Sequence, residues 1–104
     1  MRLKNGARVI GLSNEMLFAA MVAGHVYDRY NKECTITSGT DGTHSRGSEH
    51  YKGDALDFRT RHLAEGEKDK IGLEIRERLG PDYDVVIEGT HIHVEFDPKS
   101  GINK

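Results

Sequence analysis

Two short segments of this chain hold most of its chemically capable side chains. The first is Ser48-x-His50-x-x-Gly53-x-Ala55-x-Asp57, and the second is His91-Ile-His93, inside the run Val85 to Phe96. Together they offer two imidazoles and a carboxylate as ligands, with one imidazole and an acid left over. Three nitrogen or oxygen ligands with a fourth position open is how a protein holds a catalytic zinc rather than a structural one. Side chains alternate along a strand, so Ile92, Val94 and Phe96 take one face, and His91, His93 and Glu95 take the other. The apolar trio is a core face. The ionisable trio must then meet solvent, a cleft or a metal. Histidines at i, i+2 are a weak signal taken alone, and two solvent-facing imidazoles on a half-buried sheet explain them as well. The first segment shifts that balance. Leu56 and Phe58 anchor a strand to the core and turn Asp57 to the opposite face. Gly53 lets the chain turn back sharply toward His50, and Ala55 allows the backbone to pack close beneath a site.

The elements that must position these residues follow from pattern. Ser13 or Asn14 can cap a helix running to about Tyr30, with an apolar side that includes Leu17, Ala20, Met21, Gly24 and Tyr27. That stripe is expected to be core, with His25 off it at the surface. Thr35 to Ser38 reads as a short β-branched strand. Gly39 to Gly47 is a polar loop of functional length. Period-two alternation around Leu56 and Phe58 predicts a strand. A second helix is expected over Glu67 to Leu79, with Ile71, Ile75 and Leu79 in register and Gly80-Pro81 ending it. Tyr83 to Glu88 and His91 to Phe96 are the last two strands, with Gly89-Thr90 between them. Helices and strands do not alternate regularly, so the expectation is a small single α+β domain over 1–104, with an antiparallel sheet, two main helices and a zinc site on the sheet. Residues 97–104 are expected to fray.

Bulk properties narrow the function classes. Length, at 104 residues, allows one modest core, and 36% hydrophobic with 31% charged residues fits a soluble globular chain. A formal charge of -2 argues against a dedicated nucleic-acid binder. Arg59, Arg61 and His62 cluster, but Glu65, Glu67 and Asp69 follow, so a solvated mixed-charge face is the plain expectation. Cys34 is the only cysteine, which excludes an intrachain disulfide and a thiolate cluster. Beside Thr35-Ile-Thr37 it is expected to be a small buried residue. The apolar patch Val9 to Leu12 is too short for a signal peptide, and no stretch is long enough to span a bilayer. Synthesis in the cytoplasm and a monomeric state are the expectations.

Ser48-x-His50-x-x-Gly53-x-Ala55-x-Asp57 followed by His91-Ile-His93-Val-Glu-Phe resembles the zinc peptidases of peptidoglycan stem peptides. That family includes D-alanyl-D-alanine carboxypeptidases and dipeptidases, and phage endolysins that cut between L-alanine and D-glutamate. The resemblance covers about Thr35 to Phe96. It implies a metallopeptidase (a hydrolase active in cell-wall degradation) with Zn2+ held by His50, Asp57 and His93. His91 would stabilise the charged transition state.

The family pattern is not complete here. An acidic residue usually sits three places before the last zinc histidine, and that place is Thr90. Glu88 is the candidate base, whether His93 or His91 is the ligand; Glu95 is the reserve. The family's upstream arginine, in a Ser-Gly-Tyr-Arg turn, is missing. Arg46, whose fork suits a carboxylate, and Ser48 stand as the candidate substrate contacts. His44 reads as a loop histidine. A His-x-Asp facial triad, which suits non-haem iron, does not match the seven-residue step from His50 to Asp57. The resemblance therefore implies hydrolysis of a stem-peptide bond at the cell wall, reached through a lysis pore or virion. The alternative is a zinc-binding module of the same fold that acts in binding alone, and a weaker one is a metal-free structural domain.

Overall fold

The structure is a computed structural model that describes residues 1–40 and 53–98. Its elements in chain order are β1 (Arg2–Leu3), α1 (Asn14–Arg29), β2 (Thr35–Ser38), β3 (Ala55–Arg59), α2 (Glu67–Leu79), β4 (Tyr83–Ile87) and β5 (His91–Phe96). The five strands form one sheet in the order β1-β2-β3-β5-β4. The fold is α+β, as the pattern implied, but the sheet is mixed rather than antiparallel throughout. β1 runs parallel to β2, whereas β2–β3, β3–β5 and β4–β5 are antiparallel pairs. The reason is connective: α1 lies between β1 and β2, and a helical crossover returns the chain in its starting direction.

α1 starts where Ser13 accepts a hydrogen bond from the Met16 amide at 3.2 Å, which satisfies one of the free donors of the first turn. Its buried residues are Met16, Ala19, Ala23, Val26 and Tyr27. This corrects the expected stripe: Leu17 is 50% exposed and Met21 73%, and of the named set only Tyr27 is fully buried. The helix is apolar over most of its circumference, so periodicity alone cannot choose the inward face. The chosen face carries Ala19 and Ala23, small residues that allow close approach. Tyr27 also donates its hydroxyl to the Arg59 carbonyl at 2.8 Å, and burial pushes its pKa up. His25 is exposed, as expected.

α2 has the expected bounds. It buries Ile71, Ile75 and Leu79, and it closes where Gly80, at φ 85°, donates its amide to the Arg76 carbonyl. Between the helices and one face of the sheet lies a single core that includes Ile36, Leu56, Phe58, Val85, Ile92 and Val94. Cys34 is buried in it, and its thiol is pushed up to about 12 by burial first, so it stays protonated and inert at neutral pH. β4 ends at Ile87, one residue before the expected boundary, although the Glu88 amide still donates to the His91 carbonyl at 2.9 Å. No helix among the described residues is long and apolar enough to cross a membrane.

Gly53, the glycine of the first motif, has a structural duty. Its φ is 81°, and a Cβ there would run into the Gly11 carbonyl oxygen. Its own carbonyl accepts from the Ser13 amide at 2.9 Å, tying the start of β3 to the first turn of α1. Gly53→Ala should therefore lower unfolding free energy by about 2 kcal/mol or more in urea titration, adding a backbone clash to an unfavourable φ. Gly66→Ala, also at positive φ but with nothing within 4 Å of its Cβ position, should cost less. Equal costs would show that the close approach at Gly53 has no energetic weight.

Candidate functional site

Strand pairing builds the site. In the β3–β5 ladder Leu56 lies opposite Val94 and Phe58 opposite Ile92, and these four residues are fully buried. Opposed residues of an antiparallel pair share a face. The intervening pairs Ala55–Glu95, Asp57–His93 and Arg59–His91 therefore fall on the other face. The apolar pairs in the core thus fix which polar residues meet.

Asp57 and His93 meet directly, with His93 Nδ1 donating to Asp57 Oδ1 at 2.8 Å. The other ring nitrogen, Nε2, lies 2.8 Å from Glu95 Oε1. Both nitrogens face carboxylate oxygens, so both carry protons in this arrangement. The His93 pKa is pushed up to about 9, chiefly by the hydrogen bond to Asp57; partial burial opposes this, and the Glu95 contact adds to it. The Asp57 and His93 side chains keep only 15% and 19% of their surface exposed, which strengthens their interaction relative to a surface pair.

His91 is held differently. Its Nε2 lies 3.3 Å from Glu88 Oε1 and 3.8 Å from Asp57 Oδ1, and its Nδ1 is 3.2 Å from the Thr90 hydroxyl. Thr90, which stands where an acid was expected, is thus bonded to His91. Glu88 is near the site but touches it through His91, and its side chain is 47% exposed. Glu95, held in reserve as a base, instead faces the far nitrogen of His93. A carboxylate on the second nitrogen of a metal-ligating histidine fixes the ring's tautomer and orientation, so this position suits support of His93 better than proton transfer.

Two of the three expected metal ligands, Asp57 and His93, are therefore neighbours across the ladder. The third, His50, lies outside the described residues, as do Ser48, Arg46 and His44. Zinc bonds of about 2.0–2.1 Å in a tetrahedral site set ligand atoms about 3.3 Å apart. The Asp57–His93 hydrogen bond would have to open by about half an ångström to admit the ion. A carboxylate oxygen and an imidazole Nδ1 are donor types that zinc accepts, but among the described residues these two have no third ligand within reach, so the expected zinc site on the sheet is not shown. Among the described residues, the one trio of acidic or imidazole groups with ligand atoms all within 4.8 Å is Asp84, Glu95 and Asp97. That all-oxygen set suits hard cations rather than zinc, and exposed acidic groups often gather without any ion.

A cleft of about 330 Å³ adjoins the site, lined by Lys4, Thr37, Arg59, Arg61, Thr90 and His91. Of the expected mixed-charge cluster, Arg61 also borders a second pocket together with Glu65 and Lys68. Glu67, one of the acids thought to neutralise the arginines, turns away to Lys32 and the Ala64 amide. His62 leaves the cluster too, bonding the Glu33 carbonyl and stacking on Tyr27 at 6.2 Å. The signal available in the sequence was that Arg59 shares the period-two face of Asp57. Nothing local pointed to Lys4. No family model matches the chain, and no curated protein or solved structure matches it either.

In metal-free protein the His93 imidazole should titrate near pH 9 when followed by NMR. Glu95→Gln removes one of its two carboxylate partners and should lower that midpoint. Because the folded pKa exceeds the ordinary 6.5, the bridge stabilises the fold fully below pH 6.5, and that contribution is lost as pH rises through about 9. A His93 midpoint at 6.5 would contradict the bridge.

Proposed function

We propose that this chain is a zinc-dependent metallopeptidase that hydrolyses peptide bonds in peptidoglycan stem peptides. The observation that carries this reading is the Asp57–His93 contact at 2.8 Å, which joins the two motifs through one strand pair. His50, Asp57 and His93 would hold the ion. Zinc so held supplies an activated water and Lewis-acid polarisation of the scissile carbonyl. Glu88 takes a proton from the attacking water and returns it to the leaving amine. His91, held between Glu88 and Thr90, would stabilise the oxyanion as it develops. Glu95 keeps the His93 ring oriented through Nε2. Delivery as a phage-type lysis enzyme through a partner pore accords with the family resemblance.

A second reading, a zinc-binding module without catalysis, is favoured by one specific observation. Glu88 contacts His91, whereas Asp57 and His93 contact each other, so the base approaches the ligands only through an intermediate ring. Digestion of purified peptidoglycan by zinc-loaded protein separates the two, with the fragments weighed by mass spectrometry. The enzyme reading expects fragments from a single type of peptide cut. Glu88→Gln should then reduce kcat by about 10²–10⁴-fold while leaving bound zinc unchanged. Intact stem peptides after digestion would leave the binding module, and full turnover in Glu88→Gln would move the base elsewhere.

Metal affinity tests the ligand set without reference to turnover. His93 keeps its proton up to about pH 9 in the metal-free protein, so an ion must displace that proton to bind. Release of one proton per ion makes zinc affinity rise about tenfold per pH unit between pH 7 and 9, then level off. Titration with a competing chelator measures this slope. An affinity that is flat across the window excludes His93 as a ligand.

A further inference from the structure

The two helices treat their outer faces differently. α2 exposes Asp69, Lys70, Glu77 and Arg78, with Leu73 as an apolar exception among them. α1 exposes Leu17, Phe18 and Met21, three large apolar residues in successive turns. A solvated helix keeps that arc polar, and a contiguous apolar patch there marks a surface that something covers. The patch is also hollow. The small residues Ala20 and Gly24 leave a groove of about 710 Å³ between Leu17 and Met21 on one side and Met1, beside the sheet edge, on the other. A Cβ on Gly24 would lie 3.0 Å from Met1 Cε, so the lack of one is what opens the groove at that point.

What fits this face is the same face run the other way. With Met21 at its centre, about 100° per residue puts Leu17 and Gly24 on one flank and Phe18 and His25 on the other. Asn14 and Asp28, both exposed, fall close to the centre line at its two ends. A twofold axis beside Met21, at right angles to the helix, brings a second copy of α1 antiparallel and sets each flank against its own kind. Leu17 then meets Gly24 of the second copy, a large side chain against the space of a missing one. Phe18 meets His25, ring against ring. Asn14 meets Asp28, an amide that can donate to a carboxylate. Each contact occurs twice, and all three pairs are centred within half a residue of position 21. One register therefore satisfies the bulk, the rings and the polar ends together.

Charge favours the same occupant. Asp28 lines the groove and Glu15 is exposed on the same helix, so an anionic bilayer would meet like charges. Asp28 also stands near the negative C-terminal end of its own helix. In the antiparallel pair it comes to lie by the positive N-terminal end of the second copy, which relieves that repulsion.

We propose that the outer face of α1 is the interface of a symmetric antiparallel homodimer, in place of the monomer expected from sequence. α1 packs on the core face of the sheet, so the dimer leaves the opposite face, with Asp57 and His93, uncovered. The proposal therefore does not depend on the peptidase reading. One helix face buries less than a standard interface, which puts the association at about the micromolar range or weaker.

Sedimentation equilibrium of the full chain, over about 5–500 μM to span that range, reads the balance of monomer and dimer. Wild-type protein should pass from monomer to dimer across it. Gly24→Leu separates close packing from simple hydrophobic contact. Leucine is the better helix former, and its close neighbour Met1 Cε is the end of a flexible side chain, so thermal unfolding should not fall. The variant enlarges the apolar face but fills the space for Leu17, and should weaken the dimer by about tenfold or more. Asn14→Asp suits a helix N-terminus yet sets two carboxylates against each other, and should weaken the dimer by about threefold or more. Adding Asp28→Asn exchanges the pair and should restore it. A chain that stays monomeric throughout, or a Gly24→Leu dimer as tight as wild type, would overturn the interface. No loss in Asn14→Asp, or no recovery in the exchanged pair, would overturn its register. Vesicles of phosphatidylglycerol that bind the protein, and bind Gly24→Leu more tightly, would give the face to a lipid surface instead.

Discussion

The register of β3 against β5 is the constraint on which everything else depends. Leu56 opposite Val94 and Phe58 opposite Ile92 commit four apolar side chains to one face. A slip of one residue would expose all four and bury Asp57, His91 and His93 in their place. Burying charged groups without matched partners costs far more than a hydrogen bond returns. The apolar pairs therefore decide, with little freedom, that Asp57 lies against His93 and Arg59 against His91. The polar face is a consequence of the core, and its chemistry is as fixed as the packing behind it.

The two helices sharpen that division. Both contribute to the single core on the apolar face, and α1 has a further part as the crossover that sets β1 parallel to β2. Without that crossover Lys4 would not join Thr37, Arg59 and His91 in one row. A histidine bridging two carboxylates and a cleft holding three cations thus lie side by side on a 104-residue chain. Asp57, Glu88 and Glu95 meet the two imidazoles of β5, so the acids of the first lie against histidines rather than against the cleft.

Much of this was legible from pattern. α2 could be bounded to the residue, because its apolar i, i+4 spacing ends at Gly80-Pro81, two residues that stop a helix for reasons of backbone geometry. Asp57 and His93 could be put on one face, because period two is strict in a strand. The inward face of α1 could not be chosen, since Leu17, Phe18 and Met21 are as apolar as Met16 and Val26, and tertiary packing made the choice. The parallel strand Arg2–Leu3 gives no local signal, because two residues acquire their structure only from β2. Glu95 illustrates the same limit within the site. Its face was readable, but its place on the far nitrogen of His93 depended on where the ring turned.

The central claim is that Asp57 and His93 bind one metal ion. Diffraction from zinc-soaked crystals, recorded on both sides of the zinc absorption edge, tests it most directly by locating the ion itself. The account predicts one anomalous peak per chain, within bonding distance of Asp57 Oδ1 and His93 Nδ1, with Glu95 retained on Nε2. A peak among Asp84, Glu95 and Asp97, or no peak beside Asp57 at saturating zinc, would contradict it.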